Sequence, residues 1–296
     1  MAGKPPMDNL RGAALMVLAM LLFALEDMLI KLLAVDLPIG QIVGMLGLGS
    51  ALLLAIVLKT QRQALFTAAL LTPAIMLRAF GELVGTIGFV TAIALTPLST
   101  ASAILQATPL FVTLGAALFL QESVGWRRWT AIIVGFFGVM LIIRPGLEGF
   151  SWLSLFAVQG VIGLGIRDLA TRRVPPETSS LQLSFWAFLV LIPAAGLMMW
   201  FNQTSPITPP PSTLLYFIAA LLIGIFAYYC IVAAMRVGEI SFVTPFRYSR
   251  ILFALVIGIS IFGERPDALT LLGAAIIVAS GLYTLWRERR VRGGAH

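Results

Sequence analysis

Ten apolar stretches follow one another along this chain, at 12–33, 38–58, 72–95, 98–120, 126–144, 150–171, 178–201, 212–235, 241–263 and 267–286. Each comes close to the roughly 20 residues that a helix needs to cross a hydrocarbon core. The composition agrees, with 59% of residues hydrophobic and only 11% charged. A soluble domain of this size would need far more charge on its surface. The expected fold class is therefore all-α, a polytopic membrane protein of ten transmembrane helices. Connections are short except at 59–71 and 202–212. The second carries Pro206 and the run Pro209-Pro210-Pro211, which cannot continue a helix.

The same inventory removes several function classes. Cys230 is the one cysteine and His296, the last residue, the one histidine. An internal disulfide, a cysteine-rich metal site and a Ser-His-Asp enzyme are thereby set aside, and no cofactor or metal is expected. The phosphate-cradling pattern G-x-x-x-x-G-K-[ST] is absent, which argues against an ATP-driven pump. No cleavable leader is read: the first stretch is too long for a signal core and lacks a small-residue cleavage site. The net charge of +7 could suggest nucleic acid, but its placement reports topology instead. Ten crossings put both termini on one side. With that side cytoplasmic, thirteen basic residues fall inside and Lys31, Arg144 and Arg265 outside. That satisfies the positive-inside rule. The remaining four, Arg78, Arg167, Arg247 and Arg250, fall within spans.

The two halves resemble each other. Asp27–Lys31 reads D-M-L-I-K and Asp168–Arg172 reads D-L-A-T-R, an offset of 168 − 27 = 141. Glu122 and Glu264 follow the fourth span of each half, an offset of 264 − 122 = 142, and each precedes a glycine-bearing span. Five spans per half is an odd number, so the second copy enters the membrane from the opposite face. The expected units are 1–145 and 146–296, two inverted repeats of the kind found in many secondary transporters.

These features together resemble the drug/metabolite transporter superfamily in its EamA-type branch, over essentially all of residues 10–288. The resemblance rests on the two five-span halves, on Lys31 and Arg172 ending the first span of each, and on Glu122 and Glu264 with the glycines that follow. It implies ten helices around a central cavity lined mainly by the first, third, fourth, sixth, eighth and ninth spans. It also implies transport of amino acids, amines, vitamins such as riboflavin, S-adenosylmethionine or drugs. Where the ninth span of this family often reads like T-Y-L-E-P, this chain reads R-Y-S-R-I, with Arg250 in place of an acid and a further cation at Arg247.

Charge inside a bilayer is costly and is by default a functional signal. At about 1.5 Å per helical residue, Arg250 and Glu82 share a level near the midplane. The expected substrate-binding set is Arg247, Arg250, Tyr248, Glu82, Arg78 and Gln106. The arginines would take an anionic group, a carboxylate above all, because the guanidinium fork pairs with carboxylates. Glu82 would serve as counter-ion or proton carrier. A salt bridge between the third and ninth spans is the structural alternative. Tyr228, Tyr229, Phe80, Gln159 and Trp186 are further candidates to line the cavity. The expected gating or coupling set is Asp27, Lys31, Asp168, Arg172, Glu26 and Arg167. The i, i+4 pairs Asp27–Lys31 and Asp168–Arg172 would brace opposite ends of the cavity; snorkelling of Lys31 and Arg172 is the plainer alternative.

The expected function is a secondary active transporter of a small anionic or zwitterionic metabolite, working by alternating access in a bacterial inner (plasma) membrane. Its partners are the small-molecule substrate, membrane lipid and a coupled proton, with no nucleic acid, and the chain is a monomer or homodimer. The competing readings are a membrane-embedded enzyme acting on lipid, a scaffold or sensor, and an exporter of drugs or amines. The glycine patterns Gly40-x-x-x-Gly44, Gly81-x-x-x-Gly85 and Gly160-x-x-Gly163-x-Gly165 predict close helix packing within the bundle, with a dimer contact as the alternative.

Overall fold

A computed structural model describes residues 6–119, 125–146, 150–175, 177–237 and 243–293. Glu122 lies outside the described residues. Among those described the chain is helical throughout, with no strand. Helix α1 spans Pro6–Asp36, α2 Ile39–Thr60, α3 Pro73–Leu95, α4 Leu98–Leu105 and α5 Thr108–Phe119. Helix α6 spans Trp126–Ile143, α7 Ser154–Thr171, α8 Ser180–Phe201 and α9 Pro211–Val237. A 3-10 stretch, Thr244–Tyr248, runs into α10, Ser249–Phe262, and α11 spans Ala268–Gly293. Seven helical stretches are long and apolar enough to cross a membrane, and Trp129–Ile143 and Ala268–Thr284 are shorter apolar helices.

Local chemistry sets the ends. Ser179 and Gln182 form a capping box at the start of α8. Pro73 opens α3, where its missing N–H costs nothing. Gly263 ends α10 in the left-handed region at φ 62°, which a glycine adopts without penalty.

The sequence predicts one span over 98–120 with Pro109 interrupting it, and the structure breaks the helix there, after Leu105. Pro109 has no N–H to give the Leu105 carbonyl, and the Thr108 hydroxyl bonds that carbonyl instead at 2.7 Å. The ninth span is irregular in the same region, as its 3-10 stretch shows. The two irregular segments touch: the Gln106 amide donates to the Arg247 carbonyl at 3.2 Å. Gln106 and Tyr248 are 142 residues apart, so the breaks meet at repeat-equivalent positions.

The pairing of helices obeys the same symmetry. Helix α3 lies along α7, and α1 along α9; α2 pairs with α8, and α6 with α11. Exchanging each helix for its repeat mate turns the first pairing into the second and returns each of the other two to itself. The glycine patterns make the first pairing close. Gly81, Gly85 and Gly88 on α3 meet Gly160, Gly163 and Leu164 on α7, so near that a methyl at Gly88 would lie 2.7 Å from the Gly160 nitrogen. Gly40, Gly44 and Gly47 likewise face Ala195, Met198 and Leu191 on α8. All of these contacts are internal to the bundle.

Candidate functional site

Among the described residues, two groups of charged side chains within the spans come from α1, α3, α7 and α10, one where α1 meets α10 and one where α3 crosses α7. In the first group, α1 presents Asp27 on the face packed against α10. Arg250 donates from Nη2 and Nε to Asp27 Oδ2 at 2.6 and 3.2 Å. The guanidinium lies between the rings of Phe23 and Phe89, 5.2 Å from each centroid. Asp27 is 3% exposed, so this is a buried ion pair with aromatic faces on the cation. Glu26, the preceding residue on α1, turns to α9 instead. Its carboxylate lies against Gly224, where an added methyl would come within 2.8 Å of its carboxyl carbon.

The second group sits where α3 crosses α7. Arg167 binds Glu82 Oε1 at 3.3 Å and Asp168 Oδ1 at 2.8 Å. Arg78 reaches Glu82 Oε2 at 3.9 Å and donates to Thr171 Oγ1 and the Leu183 carbonyl, both at 3.2 Å. Arg78 therefore ties α3 to α7 and α8. Two guanidinium groups and two carboxylates balance within this group.

Two pairings expected from spacing are corrected here. Glu82 is not the counter-ion of Arg250: equal depth placed them level, but Glu82 is engaged by Arg167 and Arg78, and Asp27 takes Arg250. Asp27 and Lys31 do not pair either, although they are four apart on one helix. Lys31 reaches across to the end of α3, donates to the Ile93 carbonyl at 3.1 Å and to the Thr96 carbonyl, and lies 3.9 Å from Glu264. Glu264 accepts from the backbone N–H groups of Leu98 and Ser99 and from the Ser99 hydroxyl, the last at 2.6 Å. A carboxylate there answers the positive end of α4. One cluster thus joins the ends of α1, α3 and α10 to the start of α4. Arg172 is the C-cap residue of α7.

The remaining candidates scatter. Tyr248 is buried, with its hydroxyl packed on Gly281 of α11 and no hydrogen-bond partner among the described residues. It packs away from any open space. Tyr229 and Phe80 are 65% and 57% exposed and face outward, as apolar rings on a lipid-facing surface do. Trp186 is buried and donates to the Leu65 carbonyl at 2.7 Å, and Gln159 donates to the Val84 carbonyl at 3.1 Å. Both brace the fold. Arg247 makes no ion pair among the described residues and is half-buried on the 3-10 stretch. Sequence reasoning did not find the roles of Thr171 and Ser99, because a hydroxyl gives no signal until its partner is placed.

A helical membrane protein that gathers opposed charges from both halves around two irregular helices has the build of a transporter. The chain belongs to the EamA-like transporter family, which matches residues 10–144 and again 151–286. It is 30% identical to a riboflavin transporter of Rhizobium johnstonii over 70% of this chain and 68% of that one. It is 28% identical to an S-adenosylmethionine uptake transporter of Rickettsia bellii, over 67% of each chain. A pseudopaline exporter of Pseudomonas aeruginosa is 26% identical over 91% of this chain and 94% of that one. A solved crystal structure superposes with a TM-score of 0.60 at 17% identity, over 95% of this chain, which shows the shared fold. The protein is an integral membrane transporter of a small molecule, and not an enzyme.

Proposed function

We propose that this chain is a secondary active transporter of a small anionic or zwitterionic metabolite, working by alternating access across a bacterial inner membrane with both termini in the cytoplasm. The observation that carries this reading is Arg247. Of the four arginines within the spans, the other three are spent on carboxylates of the chain itself. Arg247 is half-buried and without an ion pair among the described residues, on a 3-10 stretch whose backbone meets the break in the fourth span. Transporter sites gather at such discontinuities, between repeats and near mid-depth. A guanidinium there accepts a carboxylate in a planar two-point geometry. Arg250 and Asp27 act beside it as a fixed pair that holds α1 to α10, and Arg167, Glu82, Asp168 and Arg78 hold α3 to α7. An ion gradient or the substrate's own gradient supplies the energy, since the sequence carries no nucleotide-binding loop. The similar riboflavin and S-adenosylmethionine transporters make those two molecules the first to try, alongside amino-acid derivatives. The relatives include uptake transporters and an exporter, and the same machinery serves either direction.

The test is uptake into proteoliposomes with amino acids, riboflavin and S-adenosylmethionine, with and without a pH gradient. The parent should accumulate at least one of them. Arg247→Ala should lose most of the initial rate, and Arg247→Lys should keep the charge but lose the two-point geometry and give an intermediate rate. Equal rates for all three proteins would end the assignment of Arg247.

A further inference from the structure

Among the described residues, Glu26 is the one carboxylate within the spans that the ion pairs leave over. The pseudo-symmetry explains why. Position 26 corresponds to Arg167 and position 82 to Gly224, at offsets of 167 − 26 = 141 and 224 − 82 = 142. At the α3–α7 crossing those places hold Glu82 and Arg167, an ion pair at 3.3 Å. At the α9–α1 crossing they hold Gly224 and Glu26, which also lie in contact. The second crossing has thus kept the contact, lost the cation and gained an acid in its place.

The groups around Glu26 do not repair this. On α1 its neighbour is Asp27, a second acid. From α10 comes Arg250, whose Nη2 and Nε both go to Asp27. From α9 come Gly224, with no side chain, and Tyr228 one turn further on, whose hydroxyl brings no positive charge. On α3, Glu82 and Arg78 belong to the cluster with Arg167. Arg247, on the 3-10 stretch, makes no ion pair with Glu26. Lys31 and Glu264 are held at the end of α1. Two carboxylates therefore share one guanidinium, a local balance one positive charge short. An uncompensated charge in low dielectric costs several kcal/mol, so a group in this position acquires a partner or a proton. Asp27 is shut in, whereas Glu26 is half-buried.

We infer that Glu26, set against the bare backbone of Gly224, is a cation half-site of the transport pathway, occupied in turn by a proton and by an ammonium-type group. Its complement is the cationic part of a zwitterion, or the proton that is exchanged for it. This goes beyond the assignment of Arg247, which concerns the anionic part of the substrate.

The site can be read without any transport. Dicyclohexylcarbodiimide reacts with carboxyl groups in apolar surroundings when they are protonated, and the adduct is located by mass spectrometry of the purified, full-length protein in lipid nanodiscs. Glu26 should be labelled in the parent, and Glu26→Gln should lose that adduct. The labelling rate should fall several-fold from about pH 5 to about pH 9 as the proton leaves. Butylammonium chloride should slow it several-fold further, while butanol, its neutral counterpart, should not. Slowing by pH and by butylammonium means the site takes an organic cation as well as a proton; slowing by pH alone means it takes the proton. Only the first result supports the half-site as proposed; the second overturns its ammonium part. No adduct at Glu26 at any pH, or a rate indifferent to both pH and amine, overturns it. Gly224→Lys supplies the missing cation from the chain itself and should abolish the adduct. If that variant does not fold, the parent measurements still decide. Loss of transport in an Arg247 variant leaves this site untouched, and failure of the labelling leaves Arg247 untouched.

Discussion

Each charged side chain in the bundle is defined by what meets it, and that separates two arginines only three residues apart. Arg250 closes on Asp27 in a buried pair, while Arg247 faces no acid of its own chain. Their substitutions should therefore differ in kind. Arg250→Ala leaves Asp27 as a buried charge without its partner, a loss of about 3–5 kcal/mol where pairs of this type have been broken. The double variant Asp27→Asn with Arg250→Gln removes both charges and should recover much of that loss. Arg247→Ala should change stability by no more than about 0.5 kcal/mol, because it breaks no ion pair. Thermal unfolding of the three proteins in one detergent checks this ordering, and an Arg250→Ala protein as stable as the parent would mean the pair carries no structural load. The sequence showed which residues are charged within spans and at what depth, because insertion energetics depend on position along a helix. It did not show who pairs with whom. Pairing depends on the rotation of each helix about its axis, and one residue of sequence turns a side chain by 100°, which is how Glu26 and Asp27 come to face different helices.

Between helices, the decisive features are close backbone approach and polar ties at the ends. Gly163 meets the backbone of Gly85 so closely that a methyl on it would overlap. Gly163→Ala should cost about 1–3 kcal/mol through forced separation of α3 and α7, seen as a lower unfolding temperature. Gly196, with nothing within 4 Å, should accept alanine without loss. The spacing of these glycines was legible in the sequence, since a small residue every fourth position marks a face. The partner face was not. The second feature is the cluster of Lys31, Glu264, Ile93, Thr96, Leu98 and Ser99, which closes one end of the bundle. If that end is a gate, Glu264→Gln removes both the charge at the start of α4 and the partner of Lys31. A reporter cysteine replacing Phe23 in a Cys230→Ser background should then react several-fold faster with an impermeant maleimide added from the side opposite the termini. An unchanged rate would leave the cluster as a static brace. A third tie joins Arg144, which ends α6 in a left-handed conformation, to Asp267, which also accepts from the Thr270 N–H at 2.9 Å. The hydrogen bonds from Arg144 and Thr270 hold the Asp267 carboxyl below its ordinary range. A depressed value means the tie contributes fully above the unfolded carboxylate range and is lost as pH falls through the folded value. Asp267→Ala should cost about 1 kcal/mol at neutral pH as a lost helix cap, and that difference should vanish in strong acid.

At the scale of the molecule, the loop contacts bear on how the chain threads the membrane. Gln41 and Ile207 bond reciprocally at 2.7 and 2.9 Å, joining the first connection to the seventh. Ser179 donates to Gln63 at 2.6 Å and Gln182 to the Ala64 carbonyl at 2.8 Å, joining the second connection to the sixth. Connections of odd rank thus meet odd, and even meet even, as ten alternating crossings require. Lys31 with Glu264, and Arg144 with Asp267, follow the same rule. Ten crossings were legible as ten apolar runs, and inversion followed from an odd count per half. Pro109 marked an interruption in the fourth span, but not that Gln106 there would meet the 3-10 stretch of the ninth, because that contact depends on how the two halves dock. The threading makes a prediction that does not depend on the substrate. Gln61 and Gln203 are exposed, with five crossings between them. In a Cys230→Ser background, Gln61→Cys should react with an impermeant maleimide only from the cytoplasmic side, and Gln203→Cys only from the other. Both reacting from one side would require an even number of crossings between them, and the second half could then no longer be the inverted copy of the first. Reaction with the two sides exchanged would keep the inversion and reverse the orientation that the basic residues indicate, so one pair of cysteines separates the fold from its placement in the membrane.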